Sequence, residues 1–161
     1  VDVLLSAFDI VANGWGDIRL GIIGDGHQRE NLEELRDRLD YGDRISFLGT
    51  FEDHEDVYRH MRAARLFVLP STREGFGISV LEAMAAGCIP IVVSHPDSAA
   101  REVVDSAGFT PELSASAIAS AMEDALNGQS LAIKPERRAS EYDWDVIADD
   151  IEQFYRESVP N

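Results

Sequence analysis

The sequence is short of positive charge. It sets 14 lysines and arginines against 30 acidic residues, a formal net charge of −16. No basic patch can be assembled against that field, so nucleic acid is not an expected partner and an anionic membrane surface is disfavoured. Lysine is nearly absent: Lys134 is the only one, and the other 13 cations are arginine. Cysteine is equally scarce. Cys88 stands alone, which excludes an internal disulfide or a cysteine-built metal site and fits a reducing cytoplasm. No apolar run approaches about 18 residues, and no charged n-region follows Val1, so neither a transmembrane nor a signal segment is expected within these residues. Repeats, low-complexity tracts and linkers are missing too.

What is present is a globular composition. The 161 residues are 45% hydrophobic and 27% charged, enough for one domain around one core. The acidic, lysine-poor balance looks like the surface of a salt-adapted protein. At about 1 M salt the Debye length falls to about 3 Å, and self-repulsion of this size is largely screened.

Hydrophobic periodicity alternates along the chain. Val3, Leu4, Ala7, Phe8 and Val11 recur at helical spacing, with Gly14 as a stop. Ile18 to Ile23 reads as a strand ending in the turn Gly24-Asp25-Gly26. Leu32, Leu35 and Leu39 form one stripe of a charged helix, and Ile45 to Leu48 is a strand closed by Gly49. Asp53 is placed to cap a helix through about Ala63, and Leu66 to Leu69 is the third strand. A helix over Val80–Ala86, a strand over Ile89–Val93 and a short strand at Gly108–Thr110 follow. Ser114 and Asp143 are expected to cap two last helices, the second carrying Val146, Ile147, Ile151 and Phe154 on one face. This order predicts an α/β fold: a Rossmann-like parallel sheet with helices on both faces. Ligands of such sheets sit beyond the carboxyl ends of the strands, which selects the loops at 24–29, 49–53, 70–79 and 94–98.

The most informative segment runs from Pro70 to Gly87 (PSTREGFGISVLEAMAAG). It reads as a strand end, a glycine-interrupted turn and a helix start. Unpaired amides at such a start suit a phosphate, and Gly75 and Gly77 permit close backbone approach. Glu74 and Glu82 add two carboxylates that accept hydrogen bonds from hydroxyls. A nucleotide sugar has this pattern, a diphosphate flanked by a ribose diol and a sugar polyol. Ser79-x-x-Glu82 is also a capping box, and Glu74 could be a solvated loop charge, so spacing alone leaves both readings open.

The segment resembles the signature of the retaining glycosyltransferases of family four, also called group 1, in which two glutamates are separated by seven intervening residues. The likeness extends in order through the helix at 1–13, the turn at 19–26, Ile45-Ser46-Phe47-Leu48-Gly49, Phe67-Val68-Leu69-Pro70-Ser71, Gly87 to Val93, and Glu102-Val103-Val104 with Gly108. It covers residues 1 to about 127. The resemblance implies the C-terminal, donor-binding half of a GT-B architecture, a hexosyltransferase working without metal or cofactor. It implies that Glu82 accepts from the ribose hydroxyls and that Glu74 is the catalytic-side carboxylate holding donor-sugar hydroxyls. Amides of Gly75, Phe76, Gly77, Ile78 and Ser79 would meet sugar and diphosphate, Gly24 and Gly26 would border the donor, and Phe51 with Asp53 would lie against the base. The expected partners are a nucleotide sugar and an unknown acceptor: glycan, lipid or small molecule. Localisation would be cytoplasmic, or peripheral to the membrane through an N-terminal acceptor domain.

Two departures set further expectations. The family's arginine and lysine for the diphosphate, with a central strand and the acceptor domain, correspond to positions before Val1. The sheet is therefore expected to be closed up, completed by another segment, or split around 19–23, and the chain by itself is expected not to transfer sugar. His95-Pro96-Asp97-Ser98-Ala99-Ala100 stands where many relatives have paired glycines.

Two rivals remain. A dinucleotide-binding oxidoreductase would use Gly24-Asp25-Gly26, but Arg29 stands where its third glycine belongs. A non-catalytic nucleotide-binding domain of the same ancestry would use both glutamates equally well. The scattered histidines read as surface residues, Cys88 as a core thiol, and Trp15 and Trp144 as packing residues.

Overall fold

A computed structural model describes residues 1–158. Helices and strands alternate: α1 (Asp2–Ala12), β1 (Leu20–Ile23), α2 (Arg29–Arg36), β2 (Ile45–Gly49), α3 (His54–Ala63), β3 (Leu66–Leu69), α4 (Ile78–Ala85) and β4 (Ile89–Val92). Four helices follow: α5 (Ala100–Val104), α6 (Ala115–Leu126), α7 (Pro135–Ser140) and α8 (Trp144–Ser158). The caps act where the sequence places them. Asp53 accepts from the Glu55 amide at 2.9 Å and Ser114 from the Ala117 amide at 3.1 Å, each satisfying a donor that the first helical turn leaves unpaired.

Among the described residues the strands form two parallel pairs, β1 with β2 and β3 with β4. Of the three expected outcomes, the sheet is split. Side chains join what backbone ladders do not. Leu20 and Ile22 of β1 and Leu66 and Val68 of β3 pack on one cluster that contains Leu4, Leu5, Phe8 and Val11 of α1 and Ile118 and Met122 of α6. Along β4 and just beyond it, Ile91 and Val93 enter that cluster. Val92 between them enters a second cluster with Val80, Met84, Val103 and Val104. This alternation is that of a strand covered on both faces, so helices do lie on both sides.

Several boundaries differ from the sequence reading. α2 ends at Arg36, short of Leu39, because the chain folds back on the helix end: a Cβ on Gly42 would lie 2.1 Å from the Arg36 carbonyl oxygen. α4 begins at Ile78, two residues before Val80, because Gly77 adopts the left-handed conformation that starts it. Gly108–Thr110 is no strand. Phe109 makes one bridge to Ile91, and although the Pro111 carbonyl accepts from the Ser94 amide at 2.8 Å, Pro111 has no N–H to donate back and the ladder is interrupted there. α5 and α7 were not expected, being too short to show a periodic stripe. Trp15 packs on the first cluster as expected, but Trp144 is 82% exposed. It opens α8, whose Ile151, Phe154 and Tyr155 are also exposed.

Several arginines pair at the surface, among them Arg59 with Asp56 at 2.6 Å and Arg38 with Glu34 at 3.3 Å. Exposed pairs of this kind contribute about 0–1 kcal/mol each, so the net −16 dominates the salt response. The melting temperature is expected to rise from low salt to molar NaCl, each 1 kcal/mol of relieved repulsion appearing as about 2–4 °C. A flat or falling curve in thermal scans across salt would show that repulsion is not the controlling term. No helix of the described residues is long and apolar enough to cross a membrane.

Candidate functional site

The β3–α4 connection carries the site. Pro70 ends β3, and Gly77 turns the chain with φ 89° and ψ 50°, a conformation that costs glycine little. A Cβ there would lie 3.3 Å from the Ala100 Cβ, so the position also requires close approach to α5. The Gly77 carbonyl receives the Val80 amide at 2.9 Å and the Leu81 amide at 3.2 Å. No side chain caps α4. The amides of Ile78 and Ser79 therefore remain as donors at the helix start, with its partial positive charge.

This geometry rules out the capping-box reading of Ser79 and Glu82. Ser79 lies inside α4 and Gly77 occupies the cap position, so Glu82 has no Ser79 cap to answer. Glu82 instead accepts a hydrogen bond from the Tyr58 hydroxyl of α3, Oη to Oε1 at 2.9 Å, and both side chains are half-buried. That bond pushes the Tyr58 phenol above its ordinary ionisation range; the Glu82 charge, burial and Glu55 add to it. Sequence reasoning missed Tyr58. The available signal was a tyrosine five residues past the Asp53 cap, on the helix leading from the candidate base-side loop.

Glu74 is held from the other side. Its carbonyl accepts from the Ala99 amide at 3.0 Å, and it forms a parallel bridge with Ser98. The 70–77 and 94–98 loops are thereby stitched together. Ser98 is 8% exposed, and its hydroxyl has no partner among the described residues. Gly75 and Phe76 are exposed, and the Phe76 ring meets Tyr142 edge-on at 5.5 Å.

The remaining predicted residues fall in two groups. Phe51 is half-buried and stacks at a tilt on His60, 5.1 Å between ring centres. The Asp53 carboxylate is engaged as the α3 cap. Gly24 and Gly26 belong to the β1–β2 pair: the Gly24 amide donates to the Gly49 carbonyl at 2.7 Å, with Gly24 at φ 122°. The structure thus brings Glu82 beside the helix that Phe51 and Asp53 precede, and Glu74 beside the 94–98 loop. Among the described residues no ladder or hydrogen bond joins the 24–26 turn to the 74–82 segment.

The 24–29 turn does not suit a dinucleotide. Arg29 occupies it, its guanidinium donating to Glu33 at 2.9 Å and to Asp25 at 3.4 Å. Cys88 is buried, and its thiol donates to the Met61 carbonyl at 3.0 Å. Burial pushes its ionisation up, as an inert core thiol requires. A surface concavity lined by Arg36, Leu39, Asp40, Asp43 and Ile45 lies at the amino end of β2, opposite the loops described above.

The class defined so far is an α/β protein with an uncapped helix start and two glutamates at the carboxyl end of a parallel strand pair. Residues 1–145 match the family model of glycosyl transferases group 1, and the chain belongs to that family. A phosphatidyl-myo-inositol mannosyltransferase of Mycolicibacterium smegmatis is 33% identical over 161 residues, 95% of this chain and 40% of the relative. Sucrose-phosphate synthase from Thermosynechococcus elongatus superposes with a TM-score of 0.75 at 25% identity, over 96% of this chain and 42% of that one. Anabaena Alr3699/HepE in complex with UDP gives a TM-score of 0.74 at 25% identity, over 96% and 44%. This chain therefore spans under half of the length of these proteins, and the two solved structures have GT-B glycosyltransferase folds.

Proposed function

We propose that this chain is the donor-binding domain of a retaining glycosyltransferase, taking a nucleoside-diphosphate sugar whose base and sugar are open. The observation that carries the reading is the pairing of free amides at Ile78 and Ser79 with a half-buried Glu82 that caps nothing. Amides and helix dipole suit the diphosphate, and the Glu82 carboxylate suits the ribose diol. Glu74, tied to the 94–98 loop, is the carboxylate that this reading assigns to the donor-sugar hydroxyls. Charge developing on the departing diphosphate would be met by fixed donors already in place, so the reading needs no metal ion or cofactor. The likeness to a UDP-bound structure and to a mannosyltransferase supports it. Acceptor binding is assigned to sequence beyond this domain, and the chain alone is expected to bind donor without transferring it. A cytoplasmic setting, with any membrane contact made through the acceptor-binding part, and salt adaptation belong to the same reading.

Calorimetric titration with UDP, GDP, ADP and NADH tests it. At least one nucleoside diphosphate is expected to bind, and more tightly than NADH. Binding of NADH alone, or of none of the four, overturns the donor-domain reading.

A further inference from the structure

Glu82 is not left to find its own orientation. Between its backbone and its carboxylate lie three rotatable bonds, and an exposed glutamate samples many positions before a ligand arrives. Here one oxygen is already held, because the Tyr58 hydroxyl donates to Oε1 across the α3–α4 contact. The tyrosine is itself anchored. Its ring packs against the small cluster of Met61, Ala83 and Cys88, and Cys88 in turn donates to the Met61 carbonyl. A buried thiol, an apolar cluster and a phenol thus form a rigid arm that ends on the carboxylate.

An ionised carboxylate offers about four acceptor positions. Tyr58 uses one, leaving Oε2 whole and one lone pair on Oε1 for a vicinal diol. We propose that Tyr58 is a positioning residue that sets Glu82 to receive the two ribose hydroxyls, and so confers preference for ribose over sugars that lack them. The inference rests on the donor-domain reading and extends it to a residue outside the glutamate motif. Because the phenol ionises above its ordinary range, it stays protonated and donating throughout neutral and mildly alkaline pH.

The experiment compares the ribo and 2′,3′-dideoxy forms of UDP, GDP or ADP, whichever binds most tightly, by calorimetry. The wild-type chain is expected to prefer the ribo form. In Tyr58→Phe, ribo affinity falls by about 3- to 10-fold while dideoxy affinity stays within twofold, so the preference narrows. The double variant Tyr58→Phe with Glu82→Gln binds no more weakly than Glu82→Gln alone, because the positioning residue acts only through the carboxylate. Equal loss for both nucleotide forms, or an unchanged preference, overturns the role of Tyr58 and leaves the donor-domain reading intact. A wild-type chain that binds without ribose preference removes Glu82 from the ribose, and the inference falls with it. Phenylalanine keeps the ring in its cluster, so thermal melting of the variant is expected near that of the parent. Failure of Tyr58→Phe to fold would instead identify the hydroxyl as a fold determinant and overturn a role confined to Glu82.

Discussion

Glu82→Gln is expected to weaken nucleoside diphosphate binding by about 1.5–3 kcal/mol, on the order of 10- to 100-fold, while leaving the fold in place. The size follows from charge: hydrogen bonds to an ionised acceptor are about twice as strong as those between neutral groups. The small structural cost follows from the cap. Gly77, not Ser79, begins α4, so no reciprocal cap is lost when the carboxylate becomes an amide. Glutamine keeps a carbonyl oxygen that can still accept from Tyr58, which preserves the α3–α4 contact seen at 2.9 Å. Titration and thermal melting of the same variant separate the two effects. Unchanged affinity would remove Glu82 from the ligand; a large fall in melting temperature with unchanged affinity would make it a structural residue.

Phe8→Ala is expected to have the largest effect on stability, about 3–5 kcal/mol. Its ring is 1% exposed within the cluster that α1 forms with α6. Two terms add: the lost transfer of the ring out of water, and the cavity that the surrounding Leu4, Leu5 and Ile118 cannot fill. The position matters more here than in an unbroken sheet. Among the described residues no ladder joins the β1–β2 pair to the β3–β4 pair, so packing against α1 and α6 carries the connection between them. For a chain of this length the loss corresponds to a fall in melting temperature of about 6–20 °C. Ile10→Ala serves as control. Ile10 lies on the same helix but is 50% exposed, and its removal is expected to change stability by about 0.5 kcal/mol or less. Circular dichroism melts of both variants at one salt concentration check this. A Phe8→Ala chain melting within about 2 °C of its parent, a loss of no more than about 1 kcal/mol, would show that α1 does not hold the two pairs together.

The features legible beforehand share a property: each is decided within one or two turns of chain. Asp53 and Ser114 cap because a short side chain can reach the amide two or three residues on. β3 at Leu66–Leu69 matches its apolar run because Pro70 ends it and the run is apolar on both faces. Glu74 and Glu82 were visible through spacing and family likeness, and the chain belongs to that family. What stayed hidden depended on distant partners. Local spacing pointed to a helix from Val80 with Ser79 as its cap. The decision came from the left-handed turn at Gly77, pressed against Ala100 some twenty residues later.

By itself, then, the sequence determined the α/β order, the strand and helix types, the family, the acidic surface and the two glutamates, because periodicity, caps and charge are properties of the chain alone. Only the tertiary structure decided what those glutamates do between ligands. Tyr58 reaches Glu82 across 24 residues of sequence, and the Glu74 loop is tied to Ser98 and Ala99 on a separate connection. It also decided that the sheet divides into two pairs spanned by α1 and α6. Such pairings are set by which surfaces meet when the core closes, and no local pattern encodes the distance between a phenol on one helix and a carboxylate on the next.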